Sequence, residues 1–123
     1  MKRITTLLLT TLLVCAYISP ATAQKNDDGV LRILAIGNSF SDDGMEHLPA
    51  LLESLGVKDV ELARLYVGGC TLARHMEFYN KQEAAYLFYH SKAGENRWTQ
   101  QNGVTMQQAL AMGEWDIITM QQA

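Results

Sequence analysis

The sequence has few of the features that mark disulfide scaffolds, nucleic-acid-binding proteins or repeat proteins. Of its 123 residues only two are cysteines and two are prolines, and the formal net charge is −3. An acidic balance argues against nucleic-acid binding, which depends on cationic contacts to phosphates. No repeat or low-complexity tract is present, which excludes solenoids and collagen-like chains. With 48% hydrophobic residues, the composition is that of one compact globular domain.

Residues 1–23 have the pattern of a secretory signal peptide. Residues 1–3 are a short basic start, residues 4–18 are almost wholly apolar, and residues 21–23 read Ala-Thr-Ala, a typical cleavage signal. The apolar stretch is too short to span a bilayer. We therefore predict a secreted or periplasmic protein, cleaved after Ala23 and without a membrane span. A bulky Val14 before Cys15 argues against lipoprotein anchoring.

The rest of the chain alternates short apolar runs with helical patterns. A polar linker over residues 24–30 leads into apolar runs at residues 30–36, 60–67 and 115–120, each typical of a strand buried in a parallel sheet. Residues 86–89 and 97–99 flank a turn at residues 93–96 and predict a surface β-hairpin. These patterns predict an α/β fold with a parallel sheet.

Helices are predicted between these strands. Leucines at positions 48, 51, 52 and 55 form an amphipathic stripe. A second helix is predicted from Thr71, with Leu72, Met76 and Tyr79 on one face, and Thr105 with Gln108 forms a capping box that opens a third.

In open α/β sheets, ligands bind beyond the carboxyl ends of the strands. Residues 37–41, 68–71 and 121–123 follow the three predicted strands. Ser39 could be exposed there with its N–H toward a bound oxyanion, and Gly69, which has no Cβ, could approach the same point. The alternative is that Gly-Asn-Ser is ordinary turn sequence.

The chain has neither a P-loop nor a G-x-G-x-x-G motif, and Ser41 stands where the G-x-S-x-G elbow requires glycine.

Three blocks resemble those of the SGNH (GDSL-type) hydrolase superfamily. Residues 36–41 (IGNSFS) look like its first block, Gly-Asp-Ser-hydrophobic-Ser, and residues 68–71 (GGCT) are similar to its second. Residues 115–122 (WDIITMQQ) resemble the strand that leads into the third. The combination most resembles a secreted bacterial branch that is known only as a domain of unknown function, and the likeness extends over residues 31–123.

The resemblance implies a fold and a chemistry. The fold would be flavodoxin-like, a three-layer α/β/α arrangement of which this chain supplies the first three strands. Ser39 would be the nucleophile that forms an acyl-enzyme from an ester substrate. The N–H groups of Ser39 and Gly69 would form two legs of the oxyanion hole, and Gln121 would replace the Asn side chain that forms the third. Asn38 stands where the superfamily usually has Asp.

The general base of the superfamily is a histidine in a C-terminal Asp-x-x-His block, which this sequence does not contain. We therefore expect residues 31–123 to be the N-terminal part of a longer serine ester hydrolase, inactive alone. The alternative is a non-catalytic module that binds carbohydrate or another surface on the same scaffold. His75 is the best other candidate base, although packing is the commoner role for such a histidine.

No metal or cofactor is expected, because the three histidines do not have metal-ligand spacing. The expected partner is a small-molecule or glycan ester, and an aromatic cluster formed by Tyr86, Phe88, Tyr89 and Trp98 could either stack on a sugar ring or pack the hairpin. Cys70 is more typical of a packed small side chain than of a thiol nucleophile.

Overall fold

A computed structural model describes residues 26–122 of the chain. The predicted signal peptide and its cleavage site lie outside these residues. No helix between residues 26 and 122 has the length and apolar character needed to cross a membrane. The elements in chain order are β1 (Leu31–Gly37), α1 (Ser39–Met45), α2 (Leu48–Ser54), β2 (Val60–Tyr66), α3 (Leu72–Lys81), β3 (Tyr86–Ser91), β4 (Thr99–Val104), α4 (Met106–Ala111) and β5 (Ile117–Met120).

The strands form one mixed sheet in the order β4-β3-β2-β1-β5. β1 pairs in parallel with β2 on one side and with β5 on the other. The prediction of an α/β fold is confirmed, and the three strands predicted to be parallel are parallel. The expectation that the sheet would contain only three strands is wrong, because β3 and β4 extend it with antiparallel pairing.

The predicted hairpin is therefore part of the sheet and is longer than expected. β4 continues to Val104, well beyond the predicted end at residue 99. Its residues 99–103 are exposed and polar, and Gly103 has a positive φ of 66°. β4 is an edge strand, held by hydrogen bonds to β3 on one side and exposed on the other. Such a strand does not need the alternation of apolar and polar residues by which strands are predicted from sequence.

The hydrophobic core lies between one face of the sheet and helices α3 and α4. Alternate residues of β1, β2 and β3 point to this face because side chains of a strand alternate between faces. The buried cluster consists of Leu34, Ile36, Ala63, Leu65, Cys70, Phe78, Tyr86, Phe88, Val104, Met106 and Ala109. The opposite face carries Arg64, which contacts α1.

The buried helix faces differ from those that the sequence predicts. In α3 the buried residues are His75 and Phe78, whereas the predicted stripe of Leu72, Met76 and Tyr79 is exposed. In α2 only Pro49 is buried, and the leucines at 51 and 55 are exposed. β5, predicted as a buried strand, is exposed along its length. Within the described residues β5 has only one neighbouring strand, so one of its sides remains uncovered.

Local capping signals are read correctly from the sequence. Thr105 caps α4 in a reciprocal capping box with Gln108, and Thr71 caps α3 by accepting from the Arg74 N–H. Each cap satisfies N–H groups that have no partner inside the helix. Helix α1 is not predicted by the sequence, which favours a turn there. Asn38 begins it as an N-cap whose side-chain oxygen accepts from the Phe40 N–H.

Candidate functional site

The segments that follow β1, β2 and β5 meet at one edge of the sheet. The Val67 N–H donates to Gly37 O at 3.2 Å, and the Gln121 N–H donates to Ile36 O at 3.1 Å. These bonds continue the parallel ladders past the last strand residues, so the three segments leave the sheet side by side. The structure thus brings together the loops that sequence reasoning placed at the carboxyl ends of the strands.

Asn38 joins the first two of these segments from inside. Its side chain is 1% exposed, and its Nδ2 donates to Cys70 O at 3.1 Å. Its Oδ1 accepts from the Phe40 N–H at 3.1 Å. One amide therefore both caps α1 and fixes the distance between α1 and the loop that contains Gly69.

Ser39 is the first residue of α1 and is exposed. Within residues 26–122 its Oγ makes no hydrogen bond, and its N–H donates to no backbone or side-chain acceptor. A first-turn N–H has no partner inside its own helix. Both groups of Ser39 are thus available to a ligand at this edge of the sheet.

Gly69 presents a second free donor. Its φ of +60° is a left-handed conformation that favours glycine, and a Cβ added there would meet nothing within 4 Å. Among the described residues its N–H has no acceptor either. Gly69 is exposed, so its unpaired N–H is a second candidate donor to an oxyanion.

The third segment contributes Gln121. A Cβ built on Gly37 would lie 2.6 Å from the Ser41 Cβ and 3.4 Å from the Gln121 Cβ, so these residues are packed around Gly37. Gln121 Oε1 is buried without a hydrogen-bond partner in the described part of the chain. Oε1 is thus an unpaired acceptor, whereas an oxyanion would need the Nε2 donor of the same amide. The adjacent Gln122 differs, because its Oε1 accepts from the Leu72 N–H at 3.2 Å.

Neither His75 nor His90 is hydrogen-bonded to Ser39. His75 is fully buried in α3, with its Nδ1 2.8 Å from the Tyr86 hydroxyl and its ring stacked on the Tyr86 ring. Burial lowers the pKa of His75. His90 pairs with Glu61 at 2.7 Å, near the amino end of β2. Since His75 faces the core, its candidacy as a general base is wrong, and packing is its role.

Cys70 is also a core residue. It is fully buried between the Gly69 loop and α3, and its Sγ faces Thr71 O at 3.7 Å. Burial raises the pKa of the thiol, while Arg74 opposes that rise. A buried thiol with a raised pKa is a poor nucleophile at neutral pH, which supports the packing interpretation.

The aromatic cluster does not form a sugar platform, because its members face different sides of the sheet. Tyr86 and Phe88 lie in the core, at 0% and 3% exposure. Tyr89 and Trp98 lie on the other face, where their rings stack on the Arg64 guanidinium at 4.3 and 4.4 Å. The cluster is used for packing within the protein.

Arg64 and Asp42 are structural partners of this site that sequence reasoning missed. Arg64 Nη1 lies 3.0 Å from Asp42 Oδ1, and the Arg64 side chain is almost fully buried. Burial raises the pKa of Asp42, and the charge of Arg64 opposes that rise. The sequence did contain one signal for this pair, an arginine within the apolar run of β2. A charge in a buried strand needs a partner of opposite charge.

A shallow depression of about 430 Å³ lies elsewhere, at the edge of the sheet formed by β3 and β4. Its lining residues are Phe88, His90, Thr99, Gln100, Gln101 and Met112. It is separated from β1 and Ser39 by β2 and shares no residue with the three loops described above. Between residues 26 and 122, no three His, Cys, Asp or Glu side chains are grouped as metal ligands.

Comparison with known proteins gives a family and a solved relative. The family described as "Domain of unknown function (DUF4886)" matches residues 32–123. A crystal structure of a DUF4886 family protein from Bacteroides uniformis ATCC 8492 aligns with a TM-score of 0.69 and 34% sequence identity. The alignment covers 76% of this chain but 36% of that one, so the chain spans about a third of the length of the solved relative. No curated protein matches the chain.

Proposed function

The chain belongs to the DUF4886 family, and we propose that it carries the nucleophile of a secreted serine ester hydrolase of SGNH type. The observation that carries this proposal is the meeting of three loops at one edge of the sheet. There an exposed Ser39 hydroxyl lies in the same loop cluster as the free N–H groups of Ser39 and Gly69. The resemblance of these loops to the three SGNH blocks supports the same assignment.

The chemistry would be acyl transfer through Ser39. Its Oγ attacks the ester carbonyl and gives its proton to a general base, which then protonates the departing alcohol. The N–H groups of Ser39 and Gly69 stabilise the negative oxygen of the tetrahedral intermediate, and the Gln121 amide supplies a third donor. Water then hydrolyses the acyl-enzyme. The substrate class is a small-molecule or glycan ester.

The strand order supports the flavodoxin-like part of the proposal. The three parallel strands follow the order second, first, third along the sheet, which is the order at the switch point of flavodoxin-like folds. Ligands bind at such switch points because the loops on either side diverge. Ser39 follows the central strand of these three, at the position where that crevice would open.

Fluorophosphonate labelling of the full-length gene product tests the assignment. Only an activated serine reacts readily with this probe, so we expect one labelled site, at Ser39, which Ser39→Ala abolishes. Ser41→Ala is the matched control, because Ser41 lies two residues away on the same helix. An unlabelled protein, or labelling that Ser39→Ala does not affect, would contradict the proposal.

The second candidate function is a binding module without catalysis. Within residues 26–122 no histidine is hydrogen-bonded to Ser39, an arrangement that is compatible with both candidate functions. If Ser39 in the full-length gene product fails to react while the protein still retains esterified glycans on an array, the binding function is the correct one.

A further inference from the structure

Helix α1 is placed by polar contacts rather than by hydrophobic packing. It has seven residues, and none of them is buried. Of its two large apolar residues, Phe40 is two-thirds exposed and Met45 is only partly buried. A helix this short is not stable by itself, so its position depends on what it touches. Whatever fixes α1 also fixes Ser39, its first residue.

The middle of α1 is held by a cluster that we call the Arg64 clamp, composed of Arg64, Asp42, Tyr89 and Trp98. Asp42 is three residues after Ser39, on the same helix, and binds Arg64 at 3.0 Å. The Arg64 guanidinium lies over the Tyr89 and Trp98 rings. Tyr89 on β3 and Trp98 in the loop before β4 thus restrict the movement of the Arg64 side chain. Because Arg64 binds Asp42, the position of Asp42 is restricted as well.

The end of α1 is held by the same clamp. Trp98 Nε1 donates to Glu46 O at 2.8 Å, at the C-cap of α1. The Trp98 indole therefore contacts both Arg64 and the last turn of α1. Together with Asn38 at the start, the helix is fixed at three points along its length.

The residue types of the Arg64 clamp are not explained by stability alone. Arg64 Nε is buried without a hydrogen-bond partner among residues 26–122, which is unfavourable. An apolar side chain in this place could stabilise the fold as well as a buried ion pair does. Only a planar guanidinium can stack on aromatic rings and bind a carboxylate in a fixed direction.

We propose that Asp42 and Arg64 are positioning residues that hold α1 so that Ser39 Oγ faces the substrate carbonyl. This inference rests on the proposed function, since it concerns the orientation of the same serine. Reaction rates depend steeply on such orientation, because a displacement of about 1 Å can slow a reaction about a hundredfold. The clamp acts through α1 and does not touch the substrate.

The test compares two isosteric substitutions that each remove one carboxylate charge. Asp42→Asn breaks the clamp. Glu61→Gln is the matched control. Glu61 is on the same strand as Arg64 and is partly buried on the opposite face of the sheet, where it pairs with Arg32 at 3.2 Å and with His90 at 2.7 Å. The full-length gene product is used for both variants. The rate of Ser39 labelling by a fluorophosphonate, the melting temperature and hydrogen exchange of residues 39–46 are measured.

We expect Asp42→Asn to slow labelling by about tenfold or more and to speed exchange in α1. For an ester substrate, kcat should fall with KM nearly unchanged. Glu61→Gln should lower the melting temperature by a similar amount but leave labelling within about twofold. Restoring the carboxylate with Asp42→Glu should recover part of the rate, which loss of stability alone would not explain.

The two proposals fail in different ways. If the wild-type protein is labelled at Ser39 and Asp42→Asn is labelled at the same rate, or loses rate only in parallel with Glu61→Gln, the positioning proposal is wrong. If the wild-type protein is not labelled at all, the proposed function fails. Hydrogen exchange in α1 still reports whether the clamp fixes the helix, and exchange unchanged by Asp42→Asn would reject the clamp.

Discussion

The Asn38 side chain donates a hydrogen bond to the backbone oxygen of Cys70, across 32 residues of sequence, at 3.1 Å. This bond joins the segment that carries Ser39 to the loop that carries Gly69. Both ends are buried, so water does not compete for either group. The position of Ser39, the candidate nucleophile, relative to Gly69, the candidate oxyanion donor, therefore depends on the Asn38 side-chain amide.

Asn38→Asp should destabilise the protein, because a carboxylate keeps the capping oxygen but cannot donate to Cys70 O. A buried acceptor facing another acceptor costs about 2 kcal/mol or more in the free energy of unfolding. Urea denaturation at pH 7 measures this loss, and lowering the pH should recover part of it by protonating the carboxyl. Asn80→Asp, at an exposed position, is the control. An equal effect of both substitutions would show that the Cys70 bond is unimportant.

Gly37→Ala and Gly44→Ala should have opposite effects on stability. A Cβ at position 37 would lie 2.6 Å from the Ser41 Cβ, and we expect overpacking to cost about 1 to 3 kcal/mol. At position 44, in α1, a Cβ would meet nothing within 4 Å, so alanine should stabilise the helix by up to about 1 kcal/mol. Thermal denaturation of both variants measures these effects. A Gly37→Ala protein as stable as the wild type would contradict the packing around Gly37.

Gln121→Leu and Gln122→Leu separate a catalytic contribution from a structural one. If the Gln121 amide stabilises the oxyanion, its loss should slow Ser39 acylation by about a hundredfold. Gln122 instead accepts from the Leu72 N–H at the start of α3, so its replacement should lower the melting temperature with less than about a twofold change in rate. Equal rates for Gln121→Leu and the wild type would remove Gln121 from the proposed oxyanion hole.

His75 should make stability depend on pH. Burial lowers the pKa of His75 below its ordinary value of 6.5, so the unfolded chain binds this proton more readily than the folded one. The free energy of unfolding should therefore fall as the pH decreases from 6.5 through the lowered pKa. Urea titrations between pH 7.5 and 5 measure the slope. His75→Gln should reduce this slope, and an unchanged slope in His75→Gln would refute the assignment.

Where side-chain pattern and local chemistry decide the structure, the sequence was sufficient. The apolar runs of β1 and β2 and the capping box at Thr105 predict their elements within a residue or two. The three loops at the carboxyl ends of the parallel strands followed from topology alone, because such strands all end at the same edge of a sheet.

Other features depend on contacts between residues far apart in the sequence. β4 forms because β3 supplies hydrogen bonds, although residues 100–103 have little strand propensity. In α3 the sheet selected His75 and Phe78 for burial over a more apolar stripe. The pairing of Arg64 with Asp42 could not be predicted either, since no periodicity relates a strand residue to a helix 22 residues earlier.

The sequence by itself determined the α/β class, the three parallel strands and the edge of the sheet where Ser39 and Gly69 lie. These follow from local propensity and from the geometry that all parallel strands share. Only the tertiary structure decided that β3 and β4 join the sheet, that His75 and Cys70 are buried, and that Arg64 holds α1. These outcomes depend on which surfaces meet when the chain folds, and burial and electrostatic pairing across the sheet decide that.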